Sequence, residues 1–327
     1  MAACYHSGME KIDDTIYDLV IIGAGPAGLT AAVYAGREGM NVLVTEKAVV
    51  GGMAAITDMI DNYPGFEEGI TGPELSERLR KQAERFGARI ATGVTVSGVK
   101  RDEATGLLDV AVADGTPLRA RAVLVTTGST YRKLGVPGEE PLIGRGVSFC
   151  ATCDGPMYRG RELVVVGGGN SAVQEALFLT KFASHIKLLV RGAELRASTV
   201  LQDDLKHNDK IEVLFNTSVT SLERVGAKLE LKIVDNVSAA TGELETDGVF
   251  VFVGLLANTE PFVGSLDLDE RDFVVTDAHY QTSLPGVYAA GDVRSGATWQ
   301  IASAVGEAAA ATLTIREYLN ELKRAGR

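Results

Sequence analysis

A chain of 327 residues is long enough for about two domains. At 46% hydrophobic and 23% charged, it has the balance of a globular protein able to bury substantial cores. Its net charge of −11 argues against nucleic acid or an anionic membrane surface as the main partner.

Three cysteines do not make a secreted disulfide framework, and the first ten residues are too polar for a signal peptide. No apolar run approaches the roughly 20 residues that span a bilayer. The cytoplasm is the expected location. Residues 1–16 lack periodicity and read as a loose arm.

Residues 18–23 form an almost wholly apolar run, the pattern of a strand covered on both faces of a parallel sheet. The run ends in Gly23-Ala24-Gly25-Pro26-Ala27-Gly28, followed by a helix-forming stretch. This is GxGxxG in the context that dinucleotide binding requires: strand, tight turn, helix start. A second strand over residues 41–45 leads to Glu46, 23 positions after Gly23, where a carboxylate can accept the hydroxyls of an adenosine ribose. Residues 51–65 are dense in Gly, Asp, Asn and Pro and read as loop. Thr71, with Glu74 three positions on and Pro73 between, predicts a capping box at a helix start. Short strands are expected over 94–101, 107–113 and 121–126, the last ending at Thr127-Gly128.

The second half repeats the first. A strand over 162–167 runs into Gly167-Gly168-Gly169-Asn170-Ser171-Ala172, which is GxGxxA, and a helix is expected to about residue 182. Another strand follows over 186–190, placing Val190 at the offset from Gly167 that Glu46 has from Gly23. The acid is absent, and Arg191 and Arg196 stand where they could pair with a ribose 2′-phosphate, which favours NADPH over NADH. Such a duplicated nucleotide-binding unit predicts an α/β fold of two Rossmann-like dinucleotide-binding domains. Strand-like residues at 273–275 and 287–289 and a long Ala-rich helix over 300–320 cannot make a domain alone, so they should return to complete the first. The second domain is then inserted into the first, with boundaries at 1–130, 131–256 and 257–327.

Between the glycine turns lies Cys150-Ala151-Thr152-Cys153-Asp154. Two thiols at this spacing can close a disulfide or open to a dithiol and so hold two electrons, and the adjacent carboxylate is a candidate proton carrier. The same spacing is also half of a zinc site, which Cys4 and His6 could complete. Asp154 in Asp-Gly-Pro is good turn chemistry as well.

These motifs, with residues 247–254 and Gly291-Asp292-Val293, resemble the low-molecular-weight thioredoxin reductases from about Tyr17 to the C-terminus. No metal is expected, since Cys4 and His6 would have to come from the loose arm; the resemblance implies a homodimer holding FAD in the discontinuous domain and NADPH in the inserted one, and acting on thioredoxin or a thioredoxin-like protein. The FAD contacts it implies are Gly23, Gly25, Pro26, Ala27, Gly28, Glu46, Gly52, Met53, Asn62, Thr127, Gly128, Gly291, Asp292, Gln300 and Ile301. Those for NADPH are Gly167, Gly169, Asn170, Ser171, Ala172, Arg191 and Arg196. It also implies that Cys153 lies nearest the flavin, that Cys150 attacks thioredoxin, and that Asp154 handles the proton. Rotation of the inserted domain about residues near 133–138 and 255–261 is implied too. The chain departs from the family pattern in three places: Val190-Arg191-Gly192 replaces His-Arg-Arg, Met53 replaces Gln, and Trp299 replaces Arg. Alternatives left open are NADH, ferredoxin or another donor driving the same chemistry, and a non-catalytic flavin redox sensor.

Overall fold

The computed structural model describes residues 15–326 apart from 58, 61, 114 and 116. Most of the expected N-terminal arm, with Cys4 and His6, lies outside the described residues, whereas Ile16 already begins β1 (Ile16–Ile22). β1 is apolar without alternation because each of its faces meets a core. Leu19 and Ile21 pack with Leu29 and Ile315 on one side, and Val20 and Ile22 pack with Val110, Phe262 and Val287 on the other.

After β1 come α1 (Pro26–Arg37), β2 (Val42–Glu46), α2 (Gly72–Arg85), β3 (Arg89–Thr92), β4 (Val96–Arg101), β5 (Leu108–Val112) and β6 (Leu118–Val125). They form a sheet ordered β3-β2-β1-β6-β5-β4, parallel from β3 to β6 and antiparallel beyond. β3 has no sequence signature because it is a short, half-exposed edge strand. The stretch read as loop contains a 3-10 turn at Gly52–Ile56. The Thr71 hydroxyl does cap α2 by accepting the Glu74 N–H at 3.3 Å. The reciprocal half of the box is replaced, because the Glu74 carboxylate pairs with Arg78 at 2.7 Å.

The chain continues through β7 (Ser129–Tyr131), β8 (Val147–Ser148), α3 (Ala151–Asp154), β9 (Glu162–Val166), α4 (Asn170–Leu179) and β10 (His185–Leu189). α5 (Thr199–Lys206), β11 (Ile211–Leu214), β12 (Thr217–Val225), β13 (Lys228–Asp235), β14 (Thr241–Thr246), β15 (Gly248–Val251) and β16 (Leu255–Ala257) follow. Here the parallel sheet is β11-β10-β9-β15-β8, with a three-stranded antiparallel sheet of β12, β13 and β14. α4 ends three residues short of the expected position, where Thr180 bonds its own hydroxyl back to the Leu177 carbonyl at 2.7 Å.

Last come β17 (Val287–Ala289) and α6 (Ile301–Arg324). β17 pairs with β6, and α6 packs on α1 in the first core. Residues 273–275 make only isolated bridges at Val274 rather than a strand. The chain thus divides into two compact units, one of residues up to Thr130 and from Ala257 onward, the other Tyr131–Leu256. The two crossings, β7 and β16, pair as a two-stranded ribbon. Residues 133–138 are tied within the second unit: the buried Glu139 carboxylate accepts the N–H groups of Leu134 and Gly135, both at 2.8 Å, and the Pro137 carbonyl accepts the Leu222 N–H at 2.9 Å. No described helix is long and apolar enough to cross a membrane.

Candidate active site

Cys150 and Cys153 are joined as a disulfide at the start of α3. Cys150 is the extended N-cap residue, and its Sγ accepts the Cys153 N–H at 3.2 Å. The Asp154 N–H closes the turn onto the Cys150 carbonyl at 3.1 Å. Gly155 packs closely on α4: a Cβ there would lie 2.9 Å from the tip of the Leu179 side chain, which would have to give way. The bond to the Cys150 carbonyl sets Asp154 one helical turn from Cys150. Its carboxylate accepts the Ser148 hydroxyl at 2.5 Å, and the Ser148 Oγ accepts the Cys150 N–H at 3.1 Å. Nearby, the Tyr158 phenol is held above its ordinary pKa, first by burial and then by the negative charge of Asp154. Ser148 carried no signal in the sequence, because one serine before a Cys pair belongs to no motif.

The first glycine turn meets its requirements by close approach. A Cβ on Gly28 would stand 1.9 Å from the Gly23 carbonyl oxygen, and one on Gly23, at φ 107°, would stand 2.5 Å from the Thr126 carbonyl oxygen. Gly25 differs: nothing lies within 4 Å of its Cβ position, and it begins α1 with no side-chain cap. The N–H groups of the first turn thus face an open cradle suited to a pyrophosphate. Pro26 takes the first helical position, where no N–H is needed, and Ala27 is buried behind it. Glu46 ends β2 with its carboxylate fixed by the N–H groups of Ala24 at 2.9 Å and Ala48 at 2.8 Å, which leaves lone pairs for a ribose.

Other expected FAD contacts gather in the same unit. Gly52 approaches Gly25, its Cβ position 3.4 Å from the Gly25 Cα, while Met53 is exposed. Asn62 donates to the Gln300 side chain at 3.0 Å, immediately before Ile301 opens α6 without a side-chain cap. Thr127 is bound to Asn258, and Gly128 beside it takes φ 68°. The Gly291 N–H donates to Glu307 of α6 at 2.8 Å. Partly buried Asp292 is pushed up to about 6, chiefly by burial and then by the Glu307 carboxylate. Trp299 adopts φ 51°, packs near Phe273, and has a buried indole N–H with no hydrogen-bond partner among the described residues. These residues fit an FAD site: an uncapped helix N-terminus, a cradle that a Cβ would fill, and an unsatisfied donor.

The second turn repeats the design in the other unit. A Cβ on Gly167 would meet the Phe252 carbonyl oxygen at 2.4 Å and Ala172 Cβ at 2.7 Å, whereas Gly169 faces open space and begins α4 uncapped. Asn170 and Ser171 form the first turn of α4, both exposed. Residues 190–198 are latched to this turn. The Arg196 N–H donates to the Gly168 carbonyl at 2.7 Å, and the Ser198 N–H donates to the Asn170 side chain at 2.8 Å. Val190 is buried against Gly168. Arg191 and Arg196 are exposed, and neither pairs with a carboxylate among the described residues. The residues fit a dinucleotide.

Comparison with known proteins agrees with this arrangement. Residues 17–308 match the family described as pyridine nucleotide-disulphide oxidoreductase. The chain is 41% identical to a thioredoxin reductase of Bacillus subtilis strain 168 over 312 residues, covering 95% of this chain and 97% of that protein. A thioredoxin reductase of Mycolicibacterium smegmatis is 41% identical over 308 residues, covering 94% and 98%. The crystal structure of thioredoxin reductase from Streptococcus pyogenes MGAS5005 superposes with a TM-score of 0.88 at 37% identity, over 94% of this chain and all of that one. With two glycine turns, an inserted second unit and a redox-capable Cys pair, the chain belongs to the pyridine nucleotide-disulphide oxidoreductase family, among its low-molecular-weight thioredoxin reductases.

Proposed function

We propose that the protein is an FAD-dependent thioredoxin-disulfide reductase that draws electrons from NADPH and delivers them through Cys150 and Cys153 to thioredoxin or a thioredoxin-like protein. One observation carries this reading: a Cys150–Cys153 disulfide with a carboxylate one turn away shares a compact unit with one dinucleotide turn, while the other unit holds a second. The unit containing α1 and α6 would hold FAD, and Tyr131–Leu256 would bind the nicotinamide nucleotide. When bound, FAD supplies a two-electron carrier between a nicotinamide hydride and a disulfide.

The chain's own residues do the rest. In this reading the first turn of α1 and Glu46 hold the adenosine diphosphate portion, and Asp292, Gln300 and Asn62 serve the remainder. Gly167, Gly169 and the α4 N-terminus receive the nucleotide pyrophosphate, and Arg191 and Arg196 receive a 2′-phosphate. In the dithiol state the Cys150 thiolate attacks one sulfur of the thioredoxin disulfide and displaces the other as a thiolate. The Cys153 thiolate then attacks Cys150 sulfur, releasing the second thioredoxin thiolate and restoring the Cys150–Cys153 bond. Two electrons pass to thioredoxin, and Asp154 carries a proton at Cys150. A homodimer in the cytoplasm is the proposed setting.

NADH as donor is a second reading favoured by one observation. Gly192 occupies the position of a family arginine and leaves only Arg191 and Arg196 to recognise a 2′-phosphate. Anaerobic titration separates the readings: the flavin should bleach with NADPH at far lower concentration than with NADH. Bleaching by reduced ferredoxin and by neither nucleotide would overturn the proposed donor. Cys150→Ser should keep its flavin and lose thioredoxin reduction. Wild-type turnover in that variant would end the mechanism.

A further inference from the structure

We infer that Ser148 is a positioning residue for proton transfer, its hydroxyl turning between two acceptors as Asp154 gains and loses its proton. This rests on the proposed role of Asp154. Ser148 is buried at 5% exposure and ends β8, which pairs in parallel with β15 through Val147 opposite Val249 and Ser148 opposite Phe250. Its Oγ is thus fixed by a sheet edge, whereas Asp154 and Cys150 belong to the short turn of α3. Three polar groups converge on this one oxygen. The Asp154 Oδ2 lies at 2.5 Å, the Cys150 N–H at 3.1 Å and the Cys150 carbonyl at 3.4 Å.

A hydroxyl has a single proton to give and lone pairs to accept with. The amide must donate, so the Ser148 proton goes either to the carboxylate or to the carbonyl. The shorter bond to a charged acceptor wins while Asp154 is ionised. When Asp154 is protonated, its O–H donates to Ser148 Oγ, and the serine proton swings to the Cys150 carbonyl. Both states keep every group satisfied without moving a heavy atom. The protonation of Asp154 is thereby coupled to the backbone on both sides of the attacking sulfur. Among the groups that act on the carboxyl is the Tyr158 phenol, on which Arg224 of β12 and Asp247 also act, and the thiols of the reduced pair belong to the same short turn.

Removing the hydroxyl takes a donor from the ionised carboxylate, which favours its protonated form. A hydrogen bond to a charged group of ordinary strength corresponds to about one to two pH units. The experiment uses the flavin-loaded protein as wild type, Ser148→Ala, Ser148→Thr and Asp154→Asn. Two profiles are followed against pH: thioredoxin reduction, and the carboxamidomethylation of Cys150 by iodoacetamide after dithiothreitol reduction, read by peptide mass. Ser148→Ala should move the limb that Asp154→Asn abolishes upward by about one to two units in both profiles, and Ser148→Thr should restore it. A wild-type profile in Ser148→Ala, or an equal displacement in Ser148→Thr, overturns the inference. Should Asp154→Asn itself behave as wild type, the role of Asp154 fails, and that result is distinct from an impaired Asp154→Asn beside an unchanged Ser148→Ala.

Discussion

Thr127 and Asn258 bind each other twice: the Thr127 hydroxyl donates to the Asn258 carbonyl at 2.7 Å, and the Asn258 side-chain amide donates to the Thr127 carbonyl at 2.8 Å. A third bond, from the Asn258 N–H to the Gly128 carbonyl at 3.1 Å, extends the clasp. Thr127 stands three residues before the chain leaves the first unit and Asn258 one residue after it returns, so the pair fastens both passages on the same side of the crossing. Asn258→Ala leaves the partly buried Thr127 carbonyl without its donor. The expected loss is about 1–3 kcal/mol in denaturant unfolding followed by a probe of the first unit. An unchanged midpoint would show that solvent replaces the amide.

Gly25 and Gly28 should separate folding from ligand binding. An alanine at 28 drives its Cβ into the Gly23 backbone, so Gly28→Ala should shift α1 and yield protein that is both unstable and free of flavin. Gly25→Ala has room and an ordinary φ of −74°, yet it places a methyl in the cradle. That variant should unfold at the wild-type temperature when stripped of flavin but retain much less flavin after dialysis. Full flavin occupancy in Gly25→Ala would move the pyrophosphate site away from α1.

For the nucleotide, the proposed discrimination rests on the two exposed arginines. Arg191→Ala and Arg196→Ala should each raise KM for NADPH about tenfold or more, the value of one charge-assisted hydrogen bond, while KM for NADH changes little. Equal effects on both nucleotides would assign the arginines to the shared part of the molecule.

Asp292 supplies a pH dependence of defined sign. Its pKa is raised in the fold to about 6 from the ordinary aspartate value of 3.8, so between these pH values the folded state keeps a proton that the unfolded state has released. Stability from this group is greatest below about pH 4, falls as pH rises toward 6, and is flat above it, by an upper limit of about 3 kcal/mol. Urea midpoints of wild type and Asp292→Asn, compared at pH 4.5 and 7, should differ in slope in that direction. Parallel midpoints would mean that solvent already reaches the carboxyl.

The glycine turns, the strands feeding them and the Cys pair were legible because each depends on local residue identity. Gly23, Gly28 and Gly167 could be picked out since backbone crowding at the turn forbids a Cβ. β3 gives no signal because an edge strand lacks an apolar run, and the cap at Thr71 forms as its residues predict except for the reciprocal bond, because Glu74 has a better partner in Arg78. The bonds made by Ser148, Glu139, Asn258 and Glu307 are invisible in the sequence for one shared reason. Each acts by a hydrogen bond whose geometry exists only after the chain has folded, and no spacing rule announces it.

The latch over the second turn has a consequence for how the enzyme can change. The segment after β10 is fastened by main-chain and Asn170 contacts, so its path does not depend on the side chains displayed at 191, 192 and 196. Gly192 is exposed, has no neighbour closer than 3.8 Å at its Cβ position, and lies outside the left-handed region. Selection could therefore rewrite the charge pattern on this segment one residue at a time, retuning which reductant pool the protein draws on without revisiting how it folds.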